Sequence, residues 1–169
     1  MRPEPTQRSA VDIVWQTVQQ EFADLGNVEA LTRLCMRLLM AILLGAVLGY
    51  EREASGASAG LRTHMLVSLG SALFVLVPLQ AGMAIPDVSR VLQGIISGIG
   101  FLGAGAIIKL RDEQEIKGLT TAAGIWLTAA VGVAAGMGFE GTAVVSTVFA
   151  LLIFLLERVT KRLRERNDN

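Results

Sequence analysis

Apolar positions fill the chain in long blocks, and charged residues fall between them. Five stretches carry no Asp, Glu, Lys, Arg or His: Leu38–Tyr50 (13 residues), Met65–Pro86 (22), Val91–Ile108 (18), Gly118–Phe139 (22) and Gly141–Leu156 (16). A helix rises about 1.5 Å per residue, so roughly 20 apolar residues cross a hydrocarbon core of about 30 Å. A soluble core could hide one such helix, but not five in 169 residues. The blocks predict an all-α, polytopic membrane bundle with five crossings near residues 31–50, 65–84, 91–109, 119–137 and 139–157. The first must begin near Leu31 to reach spanning length, which takes Arg37 into the membrane edge. The fifth begins at Phe139, with Glu140 near the interface. Ahead of them, Val11, Val14, Trp15, Val18, Phe22 and Leu25 recur every third or fourth residue, the pattern of an amphipathic helix. Its plain use is to lie on the bilayer or on the bundle; its sharper use is to dock a partner. Met1–Gln20 holds no basic-then-apolar leader.

Composition agrees with this class: 52% of residues are hydrophobic and 18% charged, where soluble domains carry about 25% charged. Disorder is excluded, since it needs low hydrophobicity with high net charge. Lys+Arg and Asp+Glu balance at 15 each, so no global charge favours nucleic acid. One cysteine, Cys35, and one histidine, His64, leave neither a disulfide framework nor the donors of a zinc site. No cofactor is expected. Where the basic residues sit predicts orientation. Ten of them (Arg52, Arg62, Lys109, Arg111, Lys117, Arg158, Lys161, Arg162, Arg164 and Arg166) fall on one side of a five-helix topology, and five (Arg2, Arg8, Arg33, Arg37 and Arg90) on the other. The richer side faces the cytoplasm, giving an outside N-terminus and a cytoplasmic C-terminus.

A shift of 58 positions aligns Leu38–Val77 with Ile96–Ala135, with nine of forty positions identical. The matches include Leu44-Gly45-Ala46 on Leu102-Gly103-Ala104, and Gly60-Leu61-x-Thr63 on Gly118-Leu119-x-Thr121. Helices one and two therefore read as a hairpin duplicated in helices three and four. Glycines sit where helices should touch: Gly45/Gly49, Gly94/Gly98 and Gly132/Gly136 are GxxxG pairs, and helix three adds Gly100, Gly103 and Gly105. Lipid gives apolar side chains no drive to associate, so small residues act by letting backbones approach. Helix packing is the reading for all nine, with helix three expected at the bundle centre or at a subunit contact.

Two catalytic strings match by spelling and fail by context. Gly98-Ile99-Gly100-Phe101-Leu102-Gly103 spells a dinucleotide fingerprint, but lies inside a membrane span with no strand before it. Gly56-Ala57-Ser58-Ala59-Gly60 spells a nucleophile elbow, but sits in a loop between membrane helices and lacks the strand-to-helix turn. The run Asp112-Glu113-Gln114-Glu115, flanked by Lys109, Arg111 and Lys117, reads as a solvated loop. No enzyme activity is expected. Glu51, Arg52, Glu53, Arg62 and His64 gather around one loop and form the candidate polar cluster, against a plainer reading as helix-end anchors. Arg37, Asp87, Arg90 and Glu140 are the charges at the opposite ends. Arg37 should pair with Asp87, Glu140 or backbone carbonyls, because an unpaired charge inside a span is costly.

In order along the chain, several strings resemble one family. Arg37-Leu38-Leu39 leads to Leu48-Gly49-Tyr50-Glu51-Arg52-Glu53 and Ala59-Gly60-Leu61-Arg62-Thr63-His64. Asp87 with Arg90 follows, then Gly98 to Gly105, then Gly118-Leu119-Thr120-Thr121-Ala122-Ala123 with Trp126. Over about residues 33–138 the chain resembles the MgtC/SapB family of bacterial inner-membrane proteins. The resemblance implies a multi-pass protein linked to growth in low magnesium and to pathogen survival in macrophages. It also implies action through other membrane proteins, notably the F-type ATP synthase, and an influence on phosphate uptake. Members are often described as magnesium transporters. The longer members carry a cytoplasmic ACT-like domain after the helices, whereas this sequence stops at Asn169, which implies the short form. The expected organisation is a 1–28 amphipathic extension, a 29–158 transmembrane domain of this type and a 159–169 basic cytoplasmic tail. The expected partners are lipid, other membrane proteins and further copies of the chain. A non-catalytic regulator or adaptor is the first functional expectation, and a channel or transporter for Mg²⁺ or another cation the second. No acid lies mid-span, where carriers usually place ionisable groups.

Overall fold

Most of each charge-free block lies on one helix. The computed structural model describes residues 9–23, 26–109 and 116–167; Leu25 and the acidic run 112–115 lie outside the described residues. Helix α1 (Ala10–Glu21) starts at Ser9, whose hydroxyl accepts the Val11 N–H at 3.3 Å. None of its residues is buried, and Val11, Val14, Trp15 and the following Phe22 are each more than 60% exposed. Helix α2 (Val28–Ala54) starts with the Asn27 side chain accepting the Glu29 N–H at 2.9 Å, and Glu29 pairs with Arg33 one turn on. The chain divides into two compact units, Met1–Met36 and Arg37–Asn169, and α2 runs through the division.

The second unit continues with α3 (Leu61–Gln80), α4 (Ile85–Ala106), α5 (Leu119–Met137) and α6 (Glu140–Asn167). Between α4 and α5 a two-residue antiparallel ladder, β1 (Ile108–Lys109) with β2 (Ile116–Lys117), sets Ile108 opposite Lys117. Among the described residues the other regular elements are helices. By length and composition α2, α3, α4 and α5 can each cross a membrane, and α6 opens with a shorter apolar run, Glu140–Leu156.

Several helices extend beyond their apolar blocks, since backbone hydrogen bonding continues into the headgroup region where charges are tolerated. Thus α4 starts six residues before the expected Val91, with Pro86 in its first turn, and carries Asp87 and Arg90 on the helix. Helix α3 is displaced toward the N-terminus because Gly82, at φ 85°, turns the chain after Gln80. Helix α5 ends at Gly138 (φ 86°), where Gly138 N–H reaches Ala135 O at 3.0 Å and Phe139 N–H reaches Ala134 O at 2.9 Å. This pair of bonds is a Schellman cap.

The core is built from small residues. Ala41, Ala72, Val131, Ala135, Ala143 and Phe154 join α2, α3, α5 and α6, while Val75, Val88, Ile95 and Ala129 join α3, α4 and α5. The apolar stretch of α5 is 50% buried and that of α4 only 22%. Within the chain, then, the centre belongs to α5 and α3 rather than to glycine-rich α4.

The glycine pairs divide accordingly. A Cβ on Gly45 would stand 2.8 Å from the His64 carbonyl, and one on Gly49 would stand 2.7 Å from Leu61 Cα. On α5, a Cβ on Gly132 would strike the Ser68 carbonyl, and one on Gly136 that of Ala72. These four glycines put α2 and α5 against the backbone of α3. Gly103 is in ordinary contact with Ala122, while Gly94, Gly98, Gly100 and Gly105 would meet nothing within 4 Å. A leucine at Gly98 therefore separates no helices within the chain. Gly132→Leu should cost about 2 kcal/mol or more, because backbone cannot yield as a side chain can. Gly100→Leu should stay within about 0.5 kcal/mol. Thermal unfolding of both variants in detergent checks this, and equal melting points would contradict the packing described.

Candidate functional site

The polar cluster forms where the last turns of α2 meet the first turn of α3. Gly49 permits it: with no side chain there, the His64 Cβ can lie 2.9 Å from where a Gly49 Cβ would be. His64 is fully buried. Its Nδ1 lies 2.9 Å from the Gly60 carbonyl, and since a carbonyl only accepts, Nδ1 carries the hydrogen. Its Nε2, and the Ser68 hydroxyl one turn on, have no hydrogen-bond partner among the described residues. Nε2 lies beside Gly124 of α5, 3.6 Å from where a Cβ would sit.

Arg52 is 3% exposed. Its Nε donates to Glu51 Oε2 at 2.6 Å, and its guanidinium carbon lies 3.8 Å from the centre of the Phe154 ring on α6. Burying a guanidinium is costly unless its charge is compensated, and here a carboxylate and an aromatic face share that task. The Glu51 carboxylate also accepts from the Ser55 hydroxyl at 2.7 Å. A Cβ on Gly124 would stand 3.4 Å from Phe154 and 3.8 Å from Arg52 Cδ. Four helices thus converge: α2 brings Arg52, α3 His64, α5 Gly124 and α6 Phe154.

Glu53 serves the turn. Its Oε2 accepts the Leu61 N–H at 2.8 Å, capping α3, whose N-cap Gly60 has no side chain to do so. Arg62 is exposed and takes no part in these contacts. Of the five candidates the structure brings Glu51, Arg52 and His64 together, gives Glu53 a capping role and leaves Arg62 outside. Phe154 and Gly124 carried no sequence signal, since each lies in an unbroken apolar block.

The opposite end has a half-buried arginine of its own. Arg37 Nη1 donates to the Gly136 carbonyl at 3.3 Å, and its Nε lies 4.0 Å from Glu140 Oε1. Its guanidinium covers Gly138, so the positive-φ cap of α5 also makes room for this charge. Asp87 and Arg90 are exposed on α4. Among the described residues, no three His, Cys, Asp or Glu side chains come together to hold a metal ion. The string Gly98–Gly103 lies within helix α4, and Gly56–Gly60 forms the turn between α2 and α3.

If Arg52 and Phe154 act as a clamp, their effects must be coupled. A double-mutant cycle with Arg52→Met and Phe154→Leu, read by thermal unfolding in detergent, should give a coupling of about 1–2 kcal/mol. Additive effects would dissolve the clamp.

The MgtC family model matches residues 38–163, from the α2 glycine face into the end of α6. Protein SrpB of Synechococcus elongatus is 47% identical over 130 residues, which is 70% of this chain and 71% of SrpB. The Escherichia coli K12 protein named "Putative magnesium transporter YhiD" is 39% identical over 140 residues, 78% of this chain and 64% of that protein. Protein MgtC of Salmonella typhimurium LT2 is 42% identical over 123 residues, 73% of this chain and 52% of that protein. The chain therefore spans less than two thirds of YhiD and about half of MgtC. No solved structure matches it. A match that runs through every helix of the packed bundle, together with relatives at this identity, places the chain in the MgtC family of multi-pass membrane proteins.

Proposed function

We propose that this chain is a non-catalytic regulator or adaptor of the bacterial inner membrane, tied to magnesium limitation and acting on other membrane proteins. The observation that supports this reading is the closure of the bundle. The glycines of α2 and α5 rest on α3 backbone, and at the α2–α3 turn Arg52 is engaged with Glu51 and with Phe154 while Glu53 caps α3. An interface packed backbone to backbone has no room for a hydrated Mg²⁺, which gives up its waters reluctantly. In this reading α6 makes the fifth crossing through Glu140–Leu156, with the N-terminus outside and the C-terminus in the cytoplasm. Helices α2–α3 and α4–α5 are two copies of one hairpin. The partners would be membrane proteins such as the F-type ATP synthase, which the family resemblance suggests.

The name of the relative "Putative magnesium transporter YhiD" favours a second reading, magnesium transport. That reading needs a path outside the α2–α3–α5 interface, such as one between copies of the chain. Purified protein in liposomes loaded with a Mg²⁺-sensitive dye separates the two. The expected result is flux no greater than in empty liposomes; saturable Mg²⁺ flux would overturn the adaptor reading.

Topology has its own measurement. In a Cys35→Ser background, a cysteine introduced by Glu140→Cys should react with an impermeant thiol reagent from outside the cell. One introduced by Asn167→Cys should react only after the membrane is opened. The reverse pattern would invert the bundle.

A further inference from the structure

We propose that the groove between α3 and α4 holds a zwitterionic, amine-bearing phospholipid, with an acyl chain along the α4 glycines and its headgroup at Asp87 and Arg90. The groove encloses about 640 Å³ and is lined by Val67, Gly70 and Phe74 of α3 and by Val91, Gly94 and Gly98 of α4, among others. A Cβ at Gly70, Gly94 or Gly98 would meet nothing within 4 Å, so the missing side chains leave a trough instead of a helix contact. An unfilled trough forfeits dispersion along both walls, and a flexible chain can restore it.

The length of the trough selects among occupants. From Val91 to Leu102, α4 rises about 16 Å at about 1.5 Å per residue, which is close to half of a hydrocarbon core of about 30 Å. One leaflet's acyl chain fits that depth. A transmembrane helix, from a partner or a second copy, calls for a face that continues through both leaflets.

Charge selects the headgroup. At the α3–α4 turn the trough adjoins, at shared Val91, a hollow of about 460 Å³ lined by Pro78, Gly82, Asp87 and Arg90. Asp87 and Arg90 are exposed, opposite in sign and three residues apart on α4. Neither is ion-paired among the described residues. A guanidinium presents a fork of donors to a phosphate, and a carboxylate accepts from an ammonium. A phosphate and an amine on one headgroup answer both charges. An anionic headgroup answers only Arg90, and diacylglycerol answers neither.

Native mass spectrometry of the purified full chain in detergent tests this, using palmitoyl-oleoyl phosphatidylethanolamine, phosphatidylglycerol and diacylglycerol with the same acyl chains. The expected result is one retained phosphatidylethanolamine, bound roughly tenfold more tightly than diacylglycerol and more tightly than phosphatidylglycerol. Gly98→Leu should lower its occupancy roughly tenfold with the lipid-free melting point unchanged. Arg90→Gln should bring phosphatidylethanolamine down to the diacylglycerol level. Equal retention of phosphatidylethanolamine and diacylglycerol by the natural chain would overturn the proposal, even if a variant failed to fold. Unaltered lipid binding by folded Gly98→Leu would overturn it too. So would a change of oligomeric state in that variant with lipid occupancy intact, which would give the trough to a second copy.

Discussion

Everything in the bundle depends on how closely α2 and α5 approach α3. Inside lipid, apolar side chains gain nothing by leaving the solvent, so helices hold together through dispersion and local polar contacts. Both fall away steeply with distance. Gly45 and Gly49 on one side, and Gly132 and Gly136 on the other, remove the side chains that would hold the three backbones apart. The alanine-rich core follows from the same constraint, since larger residues would not fit between helices that lie this near. The polar cluster follows as well. His64 can be buried between α2 and α5 because Gly49 has no side chain to meet its Cβ, while a Cβ on Gly124 would lie at ordinary contact distance from its ring.

Arg52, which is buried, and Arg37, which is half-buried, solve related problems in different ways. Arg52 has a carboxylate beside it on its own helix and an aromatic ring from α6, so its charge is balanced across a helix interface. Arg37 has a carbonyl from the end of α5 and a carboxylate from the start of α6. Those carbonyls are the ones a helix leaves unbonded at its C-terminus, where a cation is favoured by the helix dipole. Arg37 therefore ties α2 to the α5–α6 turn. Each charge costs something to bury, and each recovers it by fixing how α6 meets the rest.

The sequence was most legible where a single property sufficed. Charge-free runs identify the helices because lipid tolerates few charges, and the α5 limits, Leu119–Met137, coincide with those expected. Helix ends were less legible, as at α4, because hydropathy reports the hydrocarbon zone and hydrogen bonding continues past it. Glycine spacing was ambiguous for a physical reason. A GxxxG pair states that a helix has a smooth stripe but not what lies on it. The same pattern at Gly132/Gly136 meets the backbone of α3, while at Gly94/Gly98 it opens onto a trough. Of the polar cluster, Glu51, Arg52 and His64 were readable as charges at a helix end. Phe154 was not, since a ring that stacks on a guanidinium looks in sequence like any other apolar residue.

The contrast between those two stripes has a mechanical consequence. Helix α4 packs on α3 and α5 through Val88 and Ile95 and meets Ala122 at Gly103, while hollows of about 640 and 190 Å³ flank it against α3 and α5. Every hollow is dispersion not gained, so α4 is held less firmly than α3, whose backbone is gripped from both sides. The hairpin duplication expected from the sequence would make α2 and α4 equivalent. Packing makes them unequal: the α2 glycines are spent on α3, and most α4 glycines remain open. Whatever fills the space beside α4 therefore restores dispersion that the helix lacks against α3 and α5.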